Sequence, residues 1–311
     1  HGRLEKLSDE RLTPKDTETF VRMLLNDSQW EKLQELGELD LSVSVFGLYR
    51  YRVNAYKQRG SYAAAMRLVE SNIMSFEELG LPNVISEFCH MSRGLVLVTG
   101  PTGSGKSTTL AAMIDLMNTT RDCHIITLED PIEYLHRHKK SIVNQREIGN
   151  DSKSYSNALR AALRQDPDII LIGEMRDLET ISIALTAAET GHLVLSTLHT
   201  VGAAKTIDRI IDVFPPHQQQ QVRVQVSMTL QGVVSQQLVP LVNKKGRVAA
   251  VEIMMATPAI RNLIREGKHY QVANIVQTGR DQGMCSLERN LAELAAKDIV
   301  DEKTARLKAQ D

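Results

Sequence analysis

The sequence predicts an α/β protein: a larger domain built on a parallel sheet around a phosphate-binding loop, preceded by a smaller α+β domain and closed by helices. Three patterns carry that prediction. Gly100 to Ser107, GPTGSGKS, fills every specified position of G-x-x-x-x-G-K-[ST] and sits between an apolar β-branched run, Leu95 to Thr99, and a good helix former, Ser107 to Met117. Short apolar runs then alternate with helical segments up to residue 200, the order that gives parallel strands joined by right-handed crossovers. Between Leu41 and Leu68 the period is two instead, which belongs to antiparallel strands.

Thr13-Pro14 supplies an N-cap and a first-turn proline for a helix through Phe20, Val21, Leu24 and Leu25 that ends near Asn26. Ser28 with Glu31 has capping-box spacing for a second short helix, closed by Gly37. Leu41, Val43 and Val45, then Tyr49, Tyr51, Val53 and Ala55, mark strands that turn at Gly47. Gly80 and Pro82 punctuate a linker, so the expected division is a domain over 1–82, a hinge over 83–90 and the larger domain over 91–311. Further strands are expected at 123–130, 168–174 and 192–200, and helices at 155–165, 178–190, 218–237, from about 258 onward and over 287–308.

Composition disfavours several function classes. The chain has 311 residues, 42% of them hydrophobic, which is ample for packed cores. Its 37 Lys and Arg balance 38 Asp and Glu, so no overall field draws it to nucleic acid, and five Phe with one Trp leave few platforms for base stacking. No nucleic-acid partner is expected. Cys89, Cys123 and Cys285 are far apart and never in a C-x-x-C pair, as in a cytoplasmic protein with reduced thiols. No apolar run approaches the ~20 residues of a membrane span. The chain opens on His1 rather than Met, so a fragment is expected.

The loop identifies a nucleoside triphosphate as ligand. Its glycines let successive N–H groups turn inward around phosphate, the helix start adds its dipole, Lys106 reaches the β and γ oxygens, and the Ser107 hydroxyl can ligate Mg²⁺. Gly100, Pro101, Thr102, Gly103, Ser104, Gly105, Lys106, Ser107 and Thr108 are the expected nucleotide contacts. Such a loop also needs an acid at a neighbouring strand end to hold the metal, and a group to orient or deprotonate water. Two strand ends qualify: Asp168 to Glu174, an apolar run ending in a carboxylate, and Ile125 to Glu133, which carries Glu129, Asp130 and Glu133. For either alone, a solvated loop acid is the competing reading.

His192 and His199 flank one strand, where a histidine is either structural or, at His199, a hydrogen-bonding sensor of the γ-phosphate. Arg50 and Arg52 share a strand face, with Arg67 nearby; a solvated surface competes with a role on phosphate. Arg160 and Arg164, one helical turn apart, have the spacing to meet a phosphate together across a subunit boundary.

In order over residues 100 to 200, GPTGSGKS, ITLEDPIEY, LRAALRQDPDIILIGEMRDLET and AAETGHLVLSTLHT resemble the Walker A, Asp, Walker B and His boxes of the secretion ATPase superfamily. AIRNLIRE at 259–266 and GLYRYRVNAYKQRG at 47–60 resemble features of its type IV pilus retraction branch, the PilT family. The cysteine pairs of the assembly and type II secretion ATPases are absent, which points the same way. The resemblance implies a RecA-like ATPase domain, a PAS-like N-terminal domain that lacks its first segment, and hydrolysis of ATP with Mg²⁺. By position it implies Glu129 as general base, Glu174 as Walker B acid holding Mg²⁺ partly through water with Ser107, and His192 with His199 as the His-box pair. Arg50, Arg52 and Arg67 would reach the nucleotide, and Arg160 and Arg164 would act in trans. It further implies a homohexamer whose domain rotation drives pilus retraction, at the cytoplasmic side of the inner membrane at the pilus base. A PilC-like platform protein is the implied membrane partner, with a PilU-like paralogue as another. Direction of work is not written in an active site, so a PilU-like accessory or an assembly or type II secretion ATPase is the alternative. A nucleic-acid translocase runs against the charge balance, and a non-hydrolysing scaffold against the intact Lys106, Glu129 and Glu174.

Overall fold

The computed structural model describes residues 5–45, 49–69, 72–242 and 246–309. Its contacts divide the chain into one unit over residues 1–70 and another over 71–311.

In the smaller unit α1 (Pro14–Leu24) starts where its signals predict: Thr13 Oγ1 accepts the Asp16 N–H, and the Asp16 carboxylate accepts the Thr13 N–H. Helix α2 (Asp27–Leu36) ends on Gly37 at φ 84°, but its capping box is Asn26 with Gln29 rather than Ser28 with Glu31. Asparagine caps as well as serine does, and the earlier start sets Leu33 into the core. Strands β1 (Glu38–Val45), β2 (Tyr49–Gln58) and β3 (Ser61–Leu68) form an antiparallel sheet in that order. The turn expected at Gly47 lies outside the described residues, while β2 and β3 join through Arg59 and Gly60, both at positive φ. Val21, Leu25 and Leu33 pack on Leu41, Val53 and Ala55, one face of this sheet. Arg52 stands opposite both Ser42 and Arg67, which sets the two arginines side by side on the other face.

The larger unit begins with α3 (Val84–Glu87) and alternates through β4 (Gly94–Thr99), α4 (Lys106–Thr120), β5 (His124–Glu129), β6 (Ile142–Glu147), α5 (Tyr155–Ala162), β7 (Ile169–Ile172), α6 (Leu178–Glu189), β8 (Leu193–Leu198) and α7 (Ala203–Asp212). Then follow α8 (Pro216–Thr229), β9 (Leu230–Pro240), β10 (Arg247–Met255), α9 (Pro258–Arg265), α10 (Val272–Thr278), α11 (Leu287–Ala296) and α12 (Glu302–Lys308). Among the described residues one sheet runs β10-β9-β4-β8-β7-β5-β6, antiparallel where β10 meets β9 and parallel elsewhere. Every residue of β4, β7 and β8 is buried, the mark of strands covered by helices on both faces. Leu97, Leu128 and Ile172 pack against α5, α6 and α7 on one side, and Val98, Ile125 and Leu195 against Met113, Ile114 and Met117 of α4 on the other.

Within residues 83–90, Ile85 and Phe88 are fully buried beneath the sheet, and the contacts divide the chain at 70/71. A Cβ at Gly232 would overlap the Phe88 ring, so the fit there is close. Two expectations are corrected here. The helix expected over 218–237 ends at Thr229, and 230–237 is strand, because Val233 and Val234 are buried alongside β4. That tertiary fit overrides the helical tendency of the glutamines. The helix over 287–308 is two, broken near Asp298, which sits at φ 54°.

Candidate active site

Strands β4, β8, β7 and β5 are neighbours and parallel, so their C-terminal ends share one edge of the sheet, where open α/β sheets bind ligands. Each delivers one part of a single pocket: β4 the loop 100–105, β5 Glu129, β7 Glu174 and β8 His199.

The loop is held from behind. Gly100, at φ 140°, lies so close to the Gln236 carbonyl that a Cβ would overlap it. Gln236, on β9 and 3% exposed, donates from Nε2 to the Ser104 carbonyl at 2.7 Å and accepts from Thr109 Oγ1 at 2.9 Å. Gly103, at φ 77°, has open space on its Cβ side, and Gly105 at φ 89° leads into α4. Lys106 is 8% exposed; its Nζ donates to the carbonyls of Gly100 at 2.8 Å and Pro101 at 3.1 Å. Burial lowers its pKa, while the charges of Glu174 and Glu133 oppose that shift. The buried Ser104 hydroxyl has no partner among the described residues, and Thr102, Gly103, Lys106 and Ser107 line the pocket with the donors that suit a phosphate.

The two acids differ. Glu174 accepts from Arg176 Nη2 at 2.8 Å and faces His199 Nε2 at 3.3 Å. Glu129 is pushed up by burial, against hydrogen bonds to Oε1 from Thr127 Oγ1 at 2.6 Å and Gln145 Nε2 at 3.1 Å. Tyr155 and His136 line the same pocket; burial raises the phenol and lowers the imidazole to about 4. Among the described residues no group of three or more His, Cys, Asp or Glu could hold a metal by itself. Ser107 and Glu174 are hard oxygen donors, the set suited to a Mg²⁺ shared with phosphate oxygens.

Thr102, Gly103, Lys106, Ser107, Glu129, Glu174 and His199 therefore meet in one pocket. Thr108 stands beside it, its hydroxyl 2.8 Å from the Tyr134 hydroxyl. Gly100, Pro101, Ser104 and Gly105 shape the loop without lining the pocket. His192 is not brought there: it precedes β8, at the opposite end from His199, with Nδ1 at 3.0 Å from the Ala187 carbonyl. Arg160 donates to Glu179 at 2.6 Å, and neither it nor Arg164 lines the pocket of its own chain. Arg52 and Arg67 line a groove with Asp40 and Asn54 in the smaller unit, where Arg50 also lies. Sequence reasoning missed Gln145 and Gln236, which fall on strands it did not anticipate, and Tyr155 and Arg176. The signal for the last two was proximity: Arg176 is two residues past Glu174, and Tyr155 opens an expected helix.

The family model described as type II/IV secretion system protein matches residues 31–304. The chain belongs to this family. Within the type II/IV secretion family, it is 51% identical to the type IV pilus retraction ATPase PilT of Pseudomonas aeruginosa over 99% of this chain and 90% of that one. It is 41% identical to the type IV pilus ATPase PilU of the same organism, over 94% of this chain and 77% of that one. The crystal structure of the pilus retraction motor PilT with bound ADP superposes with a TM-score of 0.91 at 51% identity, covering 97% of this chain and 86% of that one. Among the described residues no helix is long and apolar enough to cross a membrane.

Proposed function

We propose that this chain is the ATPase motor of type IV pilus retraction, hydrolysing ATP to ADP and phosphate with Mg²⁺. One observation carries the chemistry: Lys106, Ser107, Glu129, Glu174 and His199 line the same pocket at the strand ends. The loop N–H groups and Lys106 bind the β- and γ-phosphates. Ser107 and Glu174 would hold Mg²⁺, Glu174 partly through water, and an ion bound there would neutralise charge on the phosphates. Glu129 accepts the proton of the attacking water; its raised pKa brings it nearer to working pH, which favours a general base. His199 lies within reach of Glu174 and offers a donor to the γ-phosphate. Arg160 and Arg164, exposed on their own subunit, complete the site of a neighbour in a homohexamer. The motor works on the cytoplasmic face of the inner membrane at the pilus base, with a PilC-like platform protein and a PilU-like paralogue as partners.

The direction of work rests on likeness along the chain rather than on the pocket. Identity to the retraction ATPase exceeds that to PilU, 51% against 41%, and AIRNLIRE is present at 259–266. The test is deletion of the gene, followed by return of the parent or of a Glu174→Ala variant. Retraction predicts heavily piliated deletion cells that fail to twitch, rescued by the parent alone. Loss of surface pili on deletion would instead identify an assembly ATPase.

A further inference from the structure

The edge strand β6 lies beside β5 and reaches Glu129 at the pocket's edge. Its Gln145 pairs with Thr127 of β5, and Thr127 lies two residues before Glu129, so all three side chains share one face of the sheet. The fully buried Thr127 hydroxyl donates to Glu129 Oε1 at 2.6 Å, and Gln145 Nε2 donates to that same oxygen at 3.1 Å. Gln145 Nε2 also donates to the Tyr134 carbonyl at 2.9 Å, and its Oε1 accepts the His136 N–H at 2.8 Å. One amide thus ties the carboxylate to both ends of the loop segment 134–136. Two residues further along β6, Glu147 Oε2 accepts the Ile132 N–H at 3.1 Å, which fixes the loop between. Neither side-chain donor on Glu129 reaches Oε2, and the Glu133 backbone N–H adds a further hydrogen bond to the same carboxylate.

We propose that Thr127 and Gln145 are positioning residues for hydrolysis: they hold Glu129 by Oε1 and so aim Oε2 at the attacking water. This rests on the reading of Glu129 as general base. The step moves one proton from water to Oε2 as the water oxygen bonds to the γ-phosphorus and the bond to the bridging oxygen of ADP breaks. Both donors also favour the ionised carboxylate, against the burial that disfavours it. The titratable and charged groups that share the pocket are Asp130, Glu133, Tyr134 and His136 on the loop after β5, Tyr155 of α5, Glu174 and Arg176 after β7, His199 after β8 and Lys106 of α4. Loss of a neutral donor leaves their charges unchanged.

The test compares Thr127→Val, which keeps the shape and removes the hydroxyl, with Thr127→Ser, which keeps the hydroxyl, and with Gln145→Leu. Steady-state ATP turnover of the full chain is followed across pH, with Glu129→Gln as reference. The expected result is a kcat lowered about ten- to a hundredfold in Thr127→Val and Gln145→Leu, as for a misplaced reacting group. KM for ATP stays at the parental value, and the acid limb of the kcat profile moves to higher pH because less carboxylate is ionised. Thr127→Ser keeps most of the parental kcat. The inference is overturned if Thr127→Val keeps the parental kcat and acid limb, if Thr127→Ser is no better than Thr127→Val, or if KM rises in step with the fall in kcat. Should Gln145→Leu not fold, the two Thr127 variants decide the matter. Glu129→Gln turning over at the parental rate would remove the general base itself; Glu129→Gln inactive beside a normal Thr127→Val would remove this inference alone.

Discussion

Glu129 and Glu174 are both carboxylates at the ends of parallel strands, yet their neighbours differ, in keeping with the different tasks proposed for them. Glu174 has Arg176 at 2.8 Å and His199 at 3.3 Å, and it stands with Ser107 where phosphate oxygens would share a metal. Glu129 is enclosed with neutral donors, and burial makes it hold its proton more tightly than an ordinary glutamate does. As the proposed general base, Glu129 would act only when ionised. Because the folded-state pKa is raised, turnover is present above it and falls as pH drops through it, so the acid limb lies above the ordinary glutamate range of about 4.3. A kcat–pH profile with saturating ATP checks this; a limb at the ordinary value would mean that burial does not govern Glu129. Gly100 shows the same dependence on surroundings: an alanine there meets both a left-handed φ of 140° and the Gln236 carbonyl.

At the scale of elements, β9, parallel to β4, and the antiparallel edge strand β10 beside it stabilise what the central parallel strands present. Gln236 of β9 clasps the phosphate loop, and Glu252 of β10 accepts the Ala203 N–H at 2.6 Å at the start of α7, whose Gly202 has no side chain to cap with. Ser235 accepts the Gly202 N–H at 2.9 Å beside it. Glu252→Ala strands that donor in a largely buried place and should cost about 1–3 kcal/mol, read as a lowered midpoint in denaturant unfolding. An unchanged midpoint would mean that water replaces the carboxylate at no loss. These supports were the part the sequence concealed. Strands β4, β5, β7 and β8 were legible because apolar runs such as LVLVT and IILI end in glycine or acid, and the phosphate loop because its spacing is fixed by its ligand. Strand β6 reads Ile-Val-Asn-Gln-Arg-Glu, an edge strand with too few apolar residues to signal itself, and β9 opens directly from a glutamine-rich helix with no breaker between Thr229 and Leu230. Residues 83–90 looked like a linker because Gly80 and Pro82 precede them, while Ile85 and Phe88 are committed to the core. His192 and His199 are close in sequence but lie at opposite ends of a fully buried strand, which at ~3.3 Å per residue keeps them well apart.

For the whole molecule, the parallel order of β4, β8, β7 and β5 turns four separate stretches of sequence into one hydrolytic pocket. The family match over residues 31–304 and the 0.91 TM-score to an ADP-bound retraction motor set that pocket in a type II/IV secretion protein. The balance of 37 basic against 38 acidic residues leaves specificity for partners to local surfaces rather than to overall charge. Binding and turnover are separable in this arrangement: Lys106 belongs to the phosphate loop, whereas Glu174 comes from a different strand. The most direct measurement is therefore phosphate release from Mg²⁺-ATP by the purified chain and by Glu174→Ala, with nucleotide binding measured on the same samples and Lys106→Ala as the binding-deficient reference. The parent should hydrolyse ATP, and Glu174→Ala should bind it near the parental affinity yet release almost no phosphate. Parental turnover by Glu174→Ala would contradict the account.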